Sequence, residues 1–247
     1  TRRLLAVEAV DYGRKASLLL LFHEKRGSKM SIKIVGTSHI SQESIERINE
    51  AYDSFEPDIV CLELDMGRLN ALLTDSQAQP ENIVHMLLGK FQRYLGGKTG
   101  VMPGEEMLHA YRDAQGRGLE VFLVDRDIRE TLGRLKYVRR KEKVKALAMV
   151  PFSLFSSKIN IAEIPDEKMI EEVKERFSES FPELYRVLLE ERDFYMSQAV
   201  RKVRMENPGK DILVVVGAAH KQGLEERIDE INRQSPVEET RQSTLEG

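Results

Sequence analysis

The sequence predicts an α/β fold: a mostly parallel sheet flanked by helices, with an inserted helical subdomain. Two observations carry this. Four short apolar runs, SIKIV (31–35), DIVCLEL (58–64), LEVFLVD (119–125) and DILVVV (211–216), are nearly continuous in apolar residues, as strands covered on both faces are. Amphipathic helical patterns alternate with them, which is the order of a parallel sheet.

Between the first two runs, SQESIERINEAYDSF places Ile45, Ile48, Tyr52 and Phe55 at helical spacing, with Ser41 as N-cap and Pro57 blocking continuation. This β-α-β unit predicts a parallel pair. GEEMLHAYRDAQGRG (104–118) is a second helix, ending in glycine and running into the third strand. From 126 to about 207 the chain reads as helical. Ile170, Val173, Phe177 and Phe181 form one stripe between a capping Asp166 and Pro182, and PELYRVLLEERDFYMSQAVRKVRM makes a further single helix. ASLLLLF (16–22) has strand character and suggests a fifth strand. Residues 1–30 therefore read as an extension or edge strand, 31–235 as the α/β domain with its helical insertion, and 236–247 as a flexible tail.

Composition excludes several classes. Charged residues make up 32% and hydrophobic residues 41%, as in a soluble globular protein, and a net charge of −3 gives no reason to expect nucleic acid as partner. The single cysteine, Cys61, excludes a disulfide framework and a Cys-rich zinc site. No apolar stretch approaches the ~20 residues of a membrane helix. The reading is a cytoplasmic chain, with membrane contact only through segments outside it. The basic stretch RLKYVRRKEKVK (134–145) reads as a solvated helix leading into an apolar one. No HExxH, GxSxG or glycine-rich phosphate loop is present.

In an open parallel sheet, ligands bind beyond the carboxyl ends of the strands. After the first strand come Gly36 and His39. After the second come Glu63, Asp65 and Arg68; after the third, Asp125, Arg126, Asp127 and Arg129; after the last, Gly217 and His220. The G-x-x-H spacing of Gly36/His39 repeats in Gly217/His220. Two imidazoles and a carboxylate suit a divalent metal (Zn, Mn, Co or Fe) whose bound water becomes a nucleophile near neutral pH. Arginines there could hold a substrate carboxylate or an oxyanion. Glu63 lies in an apolar strand, where an unpaired carboxylate is costly, so a metal, an arginine or a hydrogen-bond network should accompany it. Asp65 and Asp127 read equally as caps or as substrate contacts. Glu191 falls on the stripe Leu184, Leu188, Tyr195, Ala199 and either enters the cleft or pairs with arginine 126, 129 or 134. Its neighbour Arg192 joins the candidate substrate contacts. His23, His85 and His109 lack partner spacing and read as structural.

The ordered set GTSH, ELDMGR, GEEML, LVDRDIRETLGR, ERDFYM and VVGAAHKQG resembles the TraB/PrgY family from about Ser31 to Gly223. The likeness is nearer to archaeal and bacterial members than to the animal TIKI branch. The resemblance implies a fold of the kind read above and a metal-dependent hydrolase acting on peptides, since TIKI proteins, distant members, are regarded as metalloproteases using two G-x-x-H motifs and an acid. The matching metal-site positions are His39, His220 and Glu63, with Glu63 as ligand or general base. Arg68, Arg126 and Arg129 match the family's arginines and would orient substrate. PrgY-type members restrain peptide pheromone signalling by binding or degrading the peptide. A non-catalytic, peptide-sequestering domain is thus the alternative, and a short peptide is the implied partner in either case. Many prokaryotic relatives continue into membrane-spanning segments.

Overall fold

A computed structural model describes residues 5–6, 30–37, 42–74, 104–155 and 167–234. Strand β1 is the two-residue Leu5–Ala6. Strand β2 (Ile32–Thr37) is followed by helix α1 (Gln42–Phe55), strand β3 (Ile59–Leu62) and helix α2 (Met66–Leu73). Helix α3 (Glu105–Arg117) leads into strand β4 (Glu120–Leu123). Five helical pieces then follow: α4 (Ile128–Leu135), α5 (Arg140–Phe155), α6 (Glu167–Ser180), α7 (Pro182–Tyr185) with a π turn over Arg186–Glu190, and α8 (Glu191–Glu206). Strand β5 (Ile212–Gly217) runs directly into helix α9 (Ala218–Gln234).

The sheet is parallel throughout, in the order β1-β4-β3-β5-β2. The α/β reading holds. The expected β2–β3 pair does not form, because β5, the last strand in sequence, inserts between them and pairs Val35 with Val215 on one side and Leu62 with Val215 on the other. A crossover helix dictates parallel direction but not adjacency. The run ASLLLLF, the caps Ser41 and Asp166, and the tail from 236 lie outside the described residues; the edge pairing from the N-terminal region is made by Leu5–Ala6 on β4.

Side-chain alternation along the strands separates two cores. Val60, Leu62, Val121, Leu123, Leu213 and Val215 face α1, α2 and α3, burying Ile48, Tyr52, Leu69, Met107 and Ala110. Ile59, Cys61, Phe122, Ile212, Val214 and Val216 face α8 and α9, burying Met196, Val200, Val203 and Leu224. The sheet is therefore the middle of three layers. Helix α8, the last of the helical stretch, packs in this core and leads into β5. Tyr52, 1% exposed, donates its hydroxyl to Ala110 O at 2.8 Å and ties α1 to α3. Val173 is exposed, so the sequence stripe of α6 over-reads its burial.

Cys61 sits in the central strand with no exposure, and burial pushes its thiol well above the usual range. We expect a thiol reagent to leave native protein unlabelled and to modify one cysteine per chain in denaturant. Labelling of the native protein at a rate independent of denaturant would contradict this packing.

Candidate active site

Residues leaving β3 and β5 meet because those strands are neighbours whose chains exit to opposite faces, to α2 and to α9. That divergence leaves both sets of residues at the carboxyl edge of the sheet. Glu63 and His220 face each other there. Glu63 is 2% exposed. Its backbone N–H donates to Val215 O at 3.0 Å, and its Oε2 accepts from Gly217 N at 2.6 Å, where α9 begins. The carboxylate is thus fixed at a helix N-terminus, with Oε1 turned toward His220 Nε2 at 3.5 Å.

His220 is buried and held from behind. Its Nδ1 lies 2.5 Å from Asp193 Oδ1, and its Nε2 lies 2.9 Å from Arg192 Nη1. A guanidinium only donates, so Nε2 carries a lone pair and Nδ1 carries the proton given to Asp193. That tautomer, backed by a carboxylate, is the arrangement that orients a histidine ligand or base. Gly223, one turn along α9, is what admits Asp193: a Cβ there would stand 3.1 Å from Asp193 Cγ and closer still to Oδ2. Gly36 serves likewise, since a Cβ would press on Ala218 Cα at 3.3 Å where β2 meets α9.

Arg192 is the hub. Nη2 donates to Glu63 Oε1 and, at 2.8 Å, to Asp125 Oδ2; Nε donates to Asp125 Oδ1 at 3.2 Å and Nη1 to Leu188 O at 3.3 Å. Burial alone would depress its pKa, but Glu63 and Asp125 together hold it above the ordinary arginine value, so it stays charged at any working pH. Arg68, a third exposed, reaches Asp125 Oδ2 at 3.2 Å from the open side.

The candidate residues therefore sort by position. Glu63, His220, Arg192 and Arg68 gather in one network. Asp65 caps α2 through Arg68 N at 3.0 Å; its Oδ2 is buried without a hydrogen-bond partner among the described residues. Asp127 caps α4 through Arg129 N at 2.8 Å. Its carboxylate pairs with the Arg129 guanidinium, which holds its pKa below the usual range. Arg129 is largely exposed. The expectation that Arg126 orients substrate is corrected. It is 3% exposed, with Nε on Thr131 Oγ1 at 2.9 Å, Nη2 on Val187 O at 2.7 Å and Nη1 on Glu191 Oε2 at 3.3 Å, so it cannot present its charge to a ligand. Glu191 also pairs with Arg134 and Arg186, the structural one of its two expected roles. Arg192 faces the buried carboxylates rather than an open cleft, which replaces its expected substrate contact. His39 lies outside the described residues. His109 bonds Asn49 at 2.7 Å and is structural, as expected.

Two residues escaped the sequence reading: Asp193, and Asp125 as the second partner of Arg192. Asp193 was within reach as the third letter of ERD. The π turn, with Glu191 N bonded to Arg186 O, adds a residue to the helical repeat and turns Asp193, Met196 and Val200 inward; of the expected stripe, Ala199 is buried beside them, whereas Glu191 is only half-buried.

The donors present fit a divalent ion in kind: an outward Nε2 lone pair, a neighbouring carboxylate oxygen, and an unpartnered Asp65 oxygen on the same strand end. Among the described residues, no cluster of three His, Cys, Asp or Glu side chains is already arranged as a cage. No helix described is long and apolar enough to cross a membrane.

A family model described as TraB/PrgY/gumN matches residues 21–235. An uncharacterised protein of Methanocaldococcus jannaschii is 30% identical over 216 residues, covering 80% of this chain and 53% of that protein. TraB domain-containing proteins of Bos taurus and Homo sapiens are each 26% identical over 231 residues, covering 78% of this chain and 61% of theirs. This chain spans between half and two thirds of the relatives it matches. The parallel sheet, the paired G-x-x-H elements and a match over most of the sequence agree, and the chain belongs to the TraB/PrgY/gumN family.

Proposed function

We propose that this domain is a hydrolase of peptide or related amide bonds, assisted by a divalent metal. The observation that carries the reading is the Asp193–His220–Glu63 alignment at the carboxyl edge of β3 and β5. Asp193 keeps the proton on Nδ1 and so directs the Nε2 lone pair forward. Glu63, fixed by the Gly217 amide, supplies a carboxylate oxygen beside that nitrogen, as ligand or as the base that takes a proton from attacking water. His220 Nε2, Glu63 Oε1 and, by the G-x-x-H repeat, His39 would hold the metal. A bound divalent ion would lower the pKa of its water toward ~7 and polarise the substrate carbonyl. Arg68, partly exposed beside Asp125, would face a substrate carboxylate or the developing oxyanion.

The test is metal content by elemental mass spectrometry, on protein purified without chelator and again after reloading. Wild type should hold near-stoichiometric metal and the His39→Ala/His220→Ala variant none. A peptide panel incubated with the loaded protein should then yield cleavage products. Peptides bound but recovered intact would replace hydrolysis with sequestration. Equal metal on both proteins would remove the assigned ligands.

A further inference from the structure

The two donors that an ion would need are already engaged by a side chain of this protein. Arg192 gives Nη1 to His220 Nε2 at 2.9 Å and Nη2 to Glu63 Oε1. It does so from a largely buried position, and it has a second berth: the same guanidinium holds Asp125 through Nε at 3.2 Å and Nη2 at 2.8 Å. Asp125 is in turn steadied by Arg68 Nη1 at 3.2 Å and by the Arg126 amide at 2.9 Å. Arg192 can therefore leave His220 and Glu63 without losing its ion pair. Like charges a few ångström apart in a buried site repel by several kcal/mol, so guanidinium and divalent ion cannot share those lone pairs.

Resting on the functional reading above, we propose that Arg192 is the resident cation of the metal-free site, and that metal enters by displacing its guanidinium from His220 and Glu63 onto Asp125. Two consequences follow from the geometry. The metal-free domain is folded and internally neutralised, because Glu63 and Asp125 keep a buried positive partner. Metal affinity is held below what the donors alone would give, because entry must break two charge-assisted hydrogen bonds.

The test is zinc titration against a chromophoric chelator, comparing wild type, Arg192→Gln and Arg68→Gln. Arg68 removes the same charge from Asp125 but bonds neither His220 nor Glu63. Arg192→Gln should bind zinc about tenfold more tightly or better, and Arg68→Gln should move by no more than about twofold to threefold. The melting temperature should rise with zinc in both proteins, and by more in Arg192→Gln than in wild type at the same zinc concentration. Should Arg192→Gln fail to fold, ¹⁵N-arginine spectra of wild type serve instead: the Arg192 Nε–H signal should shift on zinc binding, and an unmoved signal with zinc bound overturns the proposal. Equal affinity in wild type and Arg192→Gln, or equal tightening in both variants, overturns the displacement and leaves the hydrolase reading standing. Absence of zinc from all three overturns both.

Discussion

Gly223→Ala is expected to destabilise the protein by about 2–3 kcal/mol, against the usual gain of up to ~1 kcal/mol for the same change inside a helix. Helix propensity loses here because the new methyl would meet the Asp193 carboxylate well inside contact distance. Two accommodations exist and both are costly. Asp193 can rotate away, which gives up its 2.5 Å bond to His220 Nδ1 and strands a buried ring. Otherwise α9 moves off α8, opening the core in which Leu224 and Ile228 pack with Met196 and Val200. Chemical denaturation measures the cost. The Gly223→Ala/Asp193→Ala pair separates the causes: removing the carboxylate relieves the clash, so the double variant should lose less than the sum of the singles. In that double variant the His220 Nδ1 proton signal should be missing from its hydrogen-bonded position. A Gly223→Ala protein as stable as wild type would mean that α8 and α9 are not packed as described.

The layered architecture was legible because burial on both faces leaves a nearly continuous apolar run, and each of the four long strands has one. Strand order was not legible. β2, β3 and β5 carry similar β-branched runs, and nothing local to IKIV or IVCL specifies which neighbour each accepts. Their adjacency is set by packing of α1 on one face and α8 with α9 on the other. The strand Leu5–Ala6 is too short to leave a pattern at all.

The site divides in the same way. Glu63 was readable because a carboxylate in an apolar strand demands a partner, and its partners are Arg192 and the Gly217 amide. His220 was readable from the G-x-x-H repeat. Asp193 was hidden by the π turn, which shifts the phase of the following helix, so a stripe counted at regular spacing pointed to Glu191 instead. Arg192 was legible as a site residue and misread in role: sequence marks a charge near a cleft but not which way it turns. Asp125 shows the same limit, since its importance comes from Arg68 and Arg192, distant by 57 and 67 residues.

The motif DRDIR makes that limit testable, because its two arginines read alike and are built unlike. Arg126→Met is expected to cost about 2–4 kcal/mol, and Arg129→Ala to stay within about 0.5 kcal/mol of wild type. Arg126 is buried, and its loss takes from Val187 O and Thr131 Oγ1 a charged donor, each with a bond at 2.9 Å or shorter. Glu191 is not left unpaired, since Arg134 and Arg186 remain at 3.3 and 3.2 Å; this keeps the cost below that of an isolated buried charge. Arg129 is 82% exposed, and its pair with Asp127 trades against solvation and side-chain entropy. The backbone cap from Arg129 N to Asp127 Oδ1 survives removal of the side chain. Urea denaturation of the two variants decides the ranking. Metal uptake per folded Arg126→Met molecule decides the role: a positioning arginine that ties α4 to the π turn lowers stability and leaves metal uptake at the wild-type level. An Arg126→Met protein with wild-type stability and lost metal uptake would return that residue to the site from which its burial removes it.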